Sequence, residues 1–336
     1  MRADSPPPLP APRGPLTASL FDAWRQDDHD VSFPAPVDEP LTGDDFHLAL
    51  YACYELHYRG FADVDEGWER DIDVMALTCR LEDEFERALR AEATSVRLDP
   101  AHVEDALWAL AEPGDGPSLS RFVAERATVD QVRELAIQRS PYQRKEADPH
   151  SWAIPRLSGR AKAAIVEIQM DEYGEGRPGA AHAELFADTM RCLDLDPTYG
   201  AYLDVVPGVT LATVNLISLL GRQRRLRGAL VGHLALFEMT SVGPMGRYSA
   251  GMRRLGLAGA THFYDIHVEA DAHHQVVAAR DLAQALADDE PDLADDIVFG
   301  ARALMTVEGR FSHMVLETWR RGETSLRASP TLAWAS

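Results

Sequence analysis

Two histidines and an aspartate in the stretch His267-Val-Glu-Ala-Asp271-Ala-His273-His274 stand at positions i, i+4 and i+7. At 100° per residue, His267, Asp271 and His274 fall within about 60° of one another on one helix face. Two imidazoles and a carboxylate converging in this way suit a divalent first-row metal. Glu269 and His273 leave that stripe and are set aside. Taken alone, the triad fits a polar, solvated face of an acidic protein equally well.

Other segments carry carboxylates where apolar residues would be expected. Glu238 interrupts HLALFEMTS, and a charge in so apolar a run is either buried and paired or bound to a cation. Glu167, Asp171 and Glu172 close the helical pattern AKAAIVEIQMDEYG, and a stretch broken by Gly and Pro leads from them to His182. Glu134 adds an acid to the core-like VRELAIQRS. Separate helices that each deliver one to three such ligands are how dinuclear iron or manganese sites are assembled in helical bundles. The usual mark of those bundles, Glu-x-x-His, is absent: no glutamate is followed three residues later by histidine, which argues against a ferritin-like site. HExxH, GxxxxGK[ST] and GxSxG are absent as well, leaving zincins, P-loops and nucleophile-elbow hydrolases without support.

Several other polar groups are read as structural. Glu55 and His57 look like a metal pair, but i and i+2 point to different helix faces. Arg247 and Tyr142 are candidates for holding substrate, Arg247 because a guanidinium pairs bidentately with a carboxylate, Tyr142 as an aromatic cap beside Trp152. Arg222, Arg224, Arg225 and Arg227 read as a solvated helix start that offsets surrounding acids.

The elements that must position these groups are helical. The chain has 336 residues, enough for one large domain or two ordinary ones. Apolar residues recur near the helical period from Asp44 to Arg59 and from Asp65 to Ala93, and strand signatures are scarce, so the expected class is all-α. Further helices are expected over Ser118–Gln138, interrupted near Thr128, and over Leu157–Tyr173, Ala180–Leu193, Val209–Leu220, Arg224–Thr240, Arg247–Leu255, Thr261–Asp288 and Pro291–Arg321. Arg139–Pro155 reads as a loop. The expected organisation is a disordered Pro-rich arm over 1–15, an N-terminal helical layer over 16–115, a core domain over 116–324 and a tail over 325–336. Fifty-four acids against 33 bases give a formal charge of −21, so phosphate backbones and anionic membrane surfaces would repel the chain. Three scattered cysteines fit neither a disulfide framework nor a thiolate zinc site. With no apolar run of membrane-spanning length and no secretion signal, the expectation is a cytoplasmic protein.

In order and spacing, Glu172, His182, Glu238 and His267-x3-Asp271-x2-His274 resemble the metal pattern of the haem-oxygenase-like diiron oxidase and oxygenase superfamily. The flanking YQRKEADPHSWAIPRL, VEIQMDEYGEG and LVGHLALFEMTS resemble the proteins called iron-containing redox enzymes. The resemblance covers about Ser118 to Gly322 and only loosely the N-terminal layer. It implies a helical bundle of about seven core helices with the N-terminal layer added, and a ligand set of Glu172, His182, Glu238, His267, Asp271 and His274. The first glutamate of the pattern is less clear. Glu134 is preferred because it lies within a helix, whereas Glu146 has the better spacing but sits among Lys145, Asp148 and Pro149 in the expected loop. Asp171 and Glu167 are read as outer or solvated acids.

The activity implied is that of a non-haem di-iron oxidase or oxygenase, with two iron ions activating O2 as co-substrate to oxidise a small amine, amino acid or fatty acid by N-oxygenation, desaturation or C–C cleavage. An external electron donor and a homodimer are compatible with it; nucleic-acid and membrane partners are not expected. Two other readings remain open at this point: a non-catalytic helical metal-binding scaffold, and a mononuclear metal hydrolase using only the 267–274 triad.

Overall fold

A computed structural model describes residues 5–327 apart from 27–28, 30–31, 94–96 and 115. Helical segments account for 72% of the described residues, which contain no strand, as the sequence predicts. In chain order they are α1 (Pro15–Gln26), α2 (Asp44–Glu55), α3 (Ile72–Glu92), α4 (Val103–Ala111), α5 (Leu119–Glu125), α6 (Val129–Gln143), α7 (Gly159–Glu172), α8 (His182–Cys192), α9 (Gly208–Arg222), α10 (Arg227–Arg254), α11 (His262–Val276), α12 (Ala285–Asp289) and α13 (Ala294–Arg320). None of these helices is long and apolar enough to cross a membrane.

The centre of the bundle is the crossing of α10 and α13. Side chains cannot fit there: a Cβ on Gly232 would strike the Ile297 carbonyl, and one on Gly300 would strike that of Ala229. Glycine is therefore required at both positions, and the two backbones touch. α9 lies beside this pair, buried on nearly every side from Gly208 to Gly221, in keeping with its all-round apolar pattern. α11 packs along α10 and continues through a π-helical segment, Val277–Gln284, into α12. The N-terminal layer closes the other side, with α2 on α9, α3 on α13, and α4 on both α10 and α13.

Local chemistry explains the boundaries. Thr128 interrupts the expected Ser118–Gln138 helix as the N-cap of α6: its hydroxyl accepts from Gln131 N–H and Gln131 reaches back to the Thr128 N–H, a capping box. Two helices run further than their prolines predict. α6 passes through Pro141 to Gln143, and the Ile137 carbonyl that a proline leaves without an N–H accepts instead from the Ser140 hydroxyl at 2.8 Å. α10 runs unbroken through Pro244 to Arg254, merging the two helices expected at 224–240 and 247–255. Gly243 has no Cβ to clash with the proline ring, which removes part of the usual penalty. The expected loop at 139–155 is mostly ordered too, since a 3-10 segment, Asp148–Arg156, follows α6.

The Pro-rich arm is not disordered over residues 5–14. Its backbone is pinned by Ala62 N–H to the Pro7 carbonyl (2.8 Å) and Ala11 N–H to Asp204 Oδ1 (2.7 Å), and Arg13 donates to the Leu203 carbonyl. Proline loses little entropy on being held extended, which makes such a strap cheap to order. Residues 1–4 and 328–336 of the expected arm and tail lie outside the described residues.

Candidate metal centre

The α11 stripe faces inward. His267, Asp271 and His274 are 3%, 1% and 0% exposed, which removes the solvated reading of the triad. Each imidazole is fixed by its other nitrogen. His267 Nδ1 lies 2.7 Å from the Phe263 carbonyl, a contact that places a proton on Nδ1 and turns Nε2 towards the cluster. His274 Nε2 lies 2.8 Å from Asp171 Oδ2, which leaves Nδ1 facing Glu238 Oε2 at 3.5 Å and Asp271 Oδ1 at 3.6 Å. Outer carboxylates and carbonyls that orient histidines in this way are typical of metal sites. Asp271 Oδ2 in turn accepts from the Ser241 hydroxyl on α10.

Three further elements bring carboxylates and a histidine to the same place. Glu172 ends α7, and His182 opens α8 with its Nδ1 2.9 Å from Glu172 Oε2. The turn between these helices carries left-handed Gly174 and Glu175, and a Cβ on Gly174 would collide with Ala180, so the chain doubles back tightly enough to aim His182 inward. Glu238, in mid-α10, is 4% exposed. Glu146 comes from the turn after α6, with Oε1 3.7 Å from His267 Nε2. Two overlapping donor sets result: Glu146, Glu172, His182 and His267, and Glu172, Glu238 and His274, the ligand atoms of each lying within 4.8 Å of one another. Glu172 belongs to both.

Six buried donor atoms of this cluster have no hydrogen-bond partner: Glu146 Oε2, Glu172 Oε2, His182 Nδ1, His267 Nε2, Asp271 Oδ1 and His274 Nδ1. Burying a polar atom without a partner costs about 1–3 kcal/mol, so six together require a shared one. The 2.9 Å contact between Glu172 and His182 lacks hydrogen-bond geometry, as expected of two lone pairs directed at a common third point. Four carboxylates (Glu146, Glu172, Glu238, Asp271) carry a formal −4, which two divalent cations would match. Oxygen and imidazole donors of this kind fit iron.

The charges shift one another strongly. Burial, with Asp271 and Glu172 adding to it, pushes the Glu238 carboxyl up to about 8. Burial also raises Glu146. Glu172 goes the other way: burial opposes its charge, but His182, His267 and His274 hold it down at about 2. His267 and His274 resist burial because carboxylates surround them, Glu146 foremost for His267 and Asp271 and Glu238 for His274, and they rise to about 10 and about 11.

Glu134 is not in this cluster. Buried at the middle of α6, it accepts from Trp319 Nε1 (2.9 Å), the Thr324 hydroxyl (3.0 Å), and the Ser325 N–H and hydroxyl. Those donors tie down the segment after α13 and satisfy the charge, so Glu134, preferred from the sequence, stands apart, and Glu146 is the glutamate that lies in the cluster. Asp171, read from sequence as an outer acid, orients His274, whereas Glu167 pairs with His273 at the surface. Beside the cluster is a small hollow lined by Tyr142, His150, Gln169, Leu234 and Phe237 together with the carboxylates. Tyr142 stacks on Phe237 at 5.2 Å between centroids. Arg247 does not line it; its Nε donates to Ser120 Oγ at 2.9 Å. Sequence reasoning did not single out His150 or Gln169, which carry no motif.

Residues 133–309, more than half of the chain, match the sequence profile of iron-containing redox enzymes. The chain belongs to this family, within the haem-oxygenase-like superfamily. No curated protein matches it significantly. All seven clustered side chains of this iron-containing redox enzyme, Glu146 to His274, fall inside the matched stretch, as does the π-helical segment that follows α11. α1 to α5 precede it.

Proposed function

We propose that this iron-containing redox enzyme is an O2-dependent non-haem di-iron oxidase or oxygenase acting on a small organic substrate. The reading rests above all on two donor sets that share Glu172 and together leave six buried donor atoms without partners. Glu146, His182 and His267 would hold one iron and Glu238, Asp271 and His274 the other, with Glu172 common to both sets. Iron bound there would supply the reductive activation of O2, and carboxylates suit that role because they are hard donors that tolerate Fe(III).

The protein's own side chains do the rest. Asp171 and the Phe263 carbonyl engage the outward nitrogens of His274 and His267, so that the inward nitrogens are the ones that can become ligands once they lose their protons. Ser241 holds one oxygen of Asp271 and leaves Oδ1 directed inward. Tyr142, Phe237 and Leu234 give the adjoining hollow an apolar, aromatic wall that excludes water. Gln169 donates to the Ala147 carbonyl, and its Oε1 is buried without a partner beside that hollow.

A mononuclear hydrolase built on the triad alone is disfavoured, because His267 and His274 contribute to different donor sets. Anaerobic loading with Fe(II), followed by iron analysis and an O2 electrode, tests the proposal. Two irons per chain and O2 uptake dependent on both are expected. One iron would restore the mononuclear reading, and none would leave a helical scaffold.

A further inference from the structure

One buried ion pair has no part in the metal centre, although it adjoins it. Lys145, immediately before Glu146, places Nζ 2.6 Å from Glu55 Oε2, with side chains 2% and 0% exposed. Tyr51, Tyr58 and Tyr199 surround the ammonium, their ring centroids 4.6, 4.3 and 5.7 Å from Nζ, and the Tyr199 hydroxyl donates to the same Glu55 oxygen at 2.9 Å. Glu55 is the last residue of α2, in the N-terminal layer, outside the stretch that matches the family profile. An apolar pair at this place would be as stable or more so, since buried ion pairs rarely repay their desolvation. Simple stability therefore does not account for the pair.

The turn it holds explains more. After Gln143 the chain leaves α6, and Ala147 adopts a left-handed backbone at φ 73°, which a residue with a Cβ takes up only when its surroundings impose it. Three anchors impose it. Arg144 donates to the Ala183 carbonyl in the first turn of α8 and to the Pro197 carbonyl beyond its end. Gln169 of α7 donates to the Ala147 carbonyl at 2.9 Å. Lys145 reaches α2. Two of these tie the turn to helices that themselves carry ligands; only Lys145 ties it to the N-terminal layer. Lys145 and Glu146 are neighbours whose side chains go opposite ways, one to Glu55 and the other to His267. Fixing the first direction fixes the second.

We infer that Glu55 and Lys145 are positioning residues through which the N-terminal layer sets the geometry of Glu146, so that one of the two metal positions depends on a residue outside the family core. The inference rests on the metal-centre reading above. Loss of the pair frees a buried ammonium one residue from a ligand carboxylate and unpins the turn, so the position using Glu146, His182 and His267 weakens while the one using Glu238 and His274 does not.

The test is anaerobic Fe(II) titration of the full chain, resolving two dissociation constants, on wild type, Glu55→Gln, Tyr199→Phe and Glu82→Gln. The position lost in Glu146→Gln identifies which constant belongs to the Glu146 side. Glu55→Gln should raise that constant about 10–100-fold, the usual cost of removing an outer partner of a metal ligand, and leave the other unchanged. Tyr199→Phe, which removes only the hydroxyl that Glu55 accepts from, should move the same constant in the same direction by less, and keeps the test alive if Glu55→Gln fails to fold. Glu82, a buried acid of α3 that accepts from Gln223, controls for general loosening of the layer and should move neither constant. Unchanged constants in the folded variants, or an equal rise in both, would overturn the positioning role alone. Wild type that takes up no Fe(II) would overturn the metal centre and this inference with it.

Discussion

Loading the cluster with metal should expel protons, because three of its groups hold them at neutral pH. Glu238 is held up at about 8, His267 at about 10 and His274 at about 11, so each is protonated at pH 7. A ligand must present a lone pair, and none of the three can do so without losing its proton. Binding two Fe(II) at pH 7 should therefore release about three protons per chain, and the combined affinity should rise about a thousandfold per pH unit, or about 4 kcal/mol at about 1.4 kcal/mol per proton. By pH 9 Glu238 has given up its proton unaided, and release should fall to about two. Anaerobic calorimetric titration in buffers of different ionisation enthalpy counts the protons directly. Release of none, or an affinity flat between pH 6 and 8, would mean that these imidazoles and Glu238 do not ligate, and the reasoning would fail.

Further outcomes separate the roles of neighbouring acids. Glu146→Gln should lose one of two irons with its helical circular dichroism intact, whereas Glu134→Gln should keep both and lower the thermal stability by about 1–3 kcal/mol, since buried donors from Trp319, Thr324 and Ser325 lose a charged acceptor. Glu238→Gln should abolish full iron loading yet leave the apo fold no less stable. Its carboxyl is raised, so the folded state binds that proton more tightly than the unfolded chain, and stability drains away as pH rises from about 4.5 towards 8; in pH-dependent melts of the apo proteins the glutamine variant should lack that component. Asp171→Asn should weaken iron binding about 10–100-fold through His274, and an unchanged affinity would show that Asp171 does not orient the ring.

What the sequence made legible follows from the range over which each interaction acts. His267, Asp271 and His274 share a face because helix geometry alone dictates it, and α11 is regular from His262 to Val276. Glu238 was legible for a related reason: within an apolar run, a charge has few places to go. Helix ends were less secure. Pro141 and Pro244 read as stops, but Ser140 supplies the Ile137 carbonyl with a donor and Gly243 makes room for a proline ring, compensations one residue away that periodicity does not register. The anchoring of the extended arm over residues 5–14 was not legible for a similar reason, its partners Ala62, Leu203 and Asp204 lying far along the chain.

Glu134 and Glu146 mark where local reasoning stops. Both are buried acids, Glu134 in the middle of α6 and Glu146 in the turn just past its end, and each needs a compensating partner. For Glu134 that partner is a set of N–H and O–H donors from the segment after α13, more than 180 residues away in the chain. Glu146 has instead a buried lysine neighbour turned the other way towards α2, a left-handed alanine and an oxygen left unpaired among histidines. From sequence an irregular turn reads as the poorer place for a ligand, but its irregularity is what turns the side chain inward, off the end of α6 and towards α11. A regular helix at that point would carry Glu146 around with the helical period and could not send Lys145 and Glu146 to opposite sides. The strain at Ala147 is thus best understood as the cost of bringing the first carboxylate to the metal centre, and the anchors on Arg144, Lys145 and Gln169 are what sustain it.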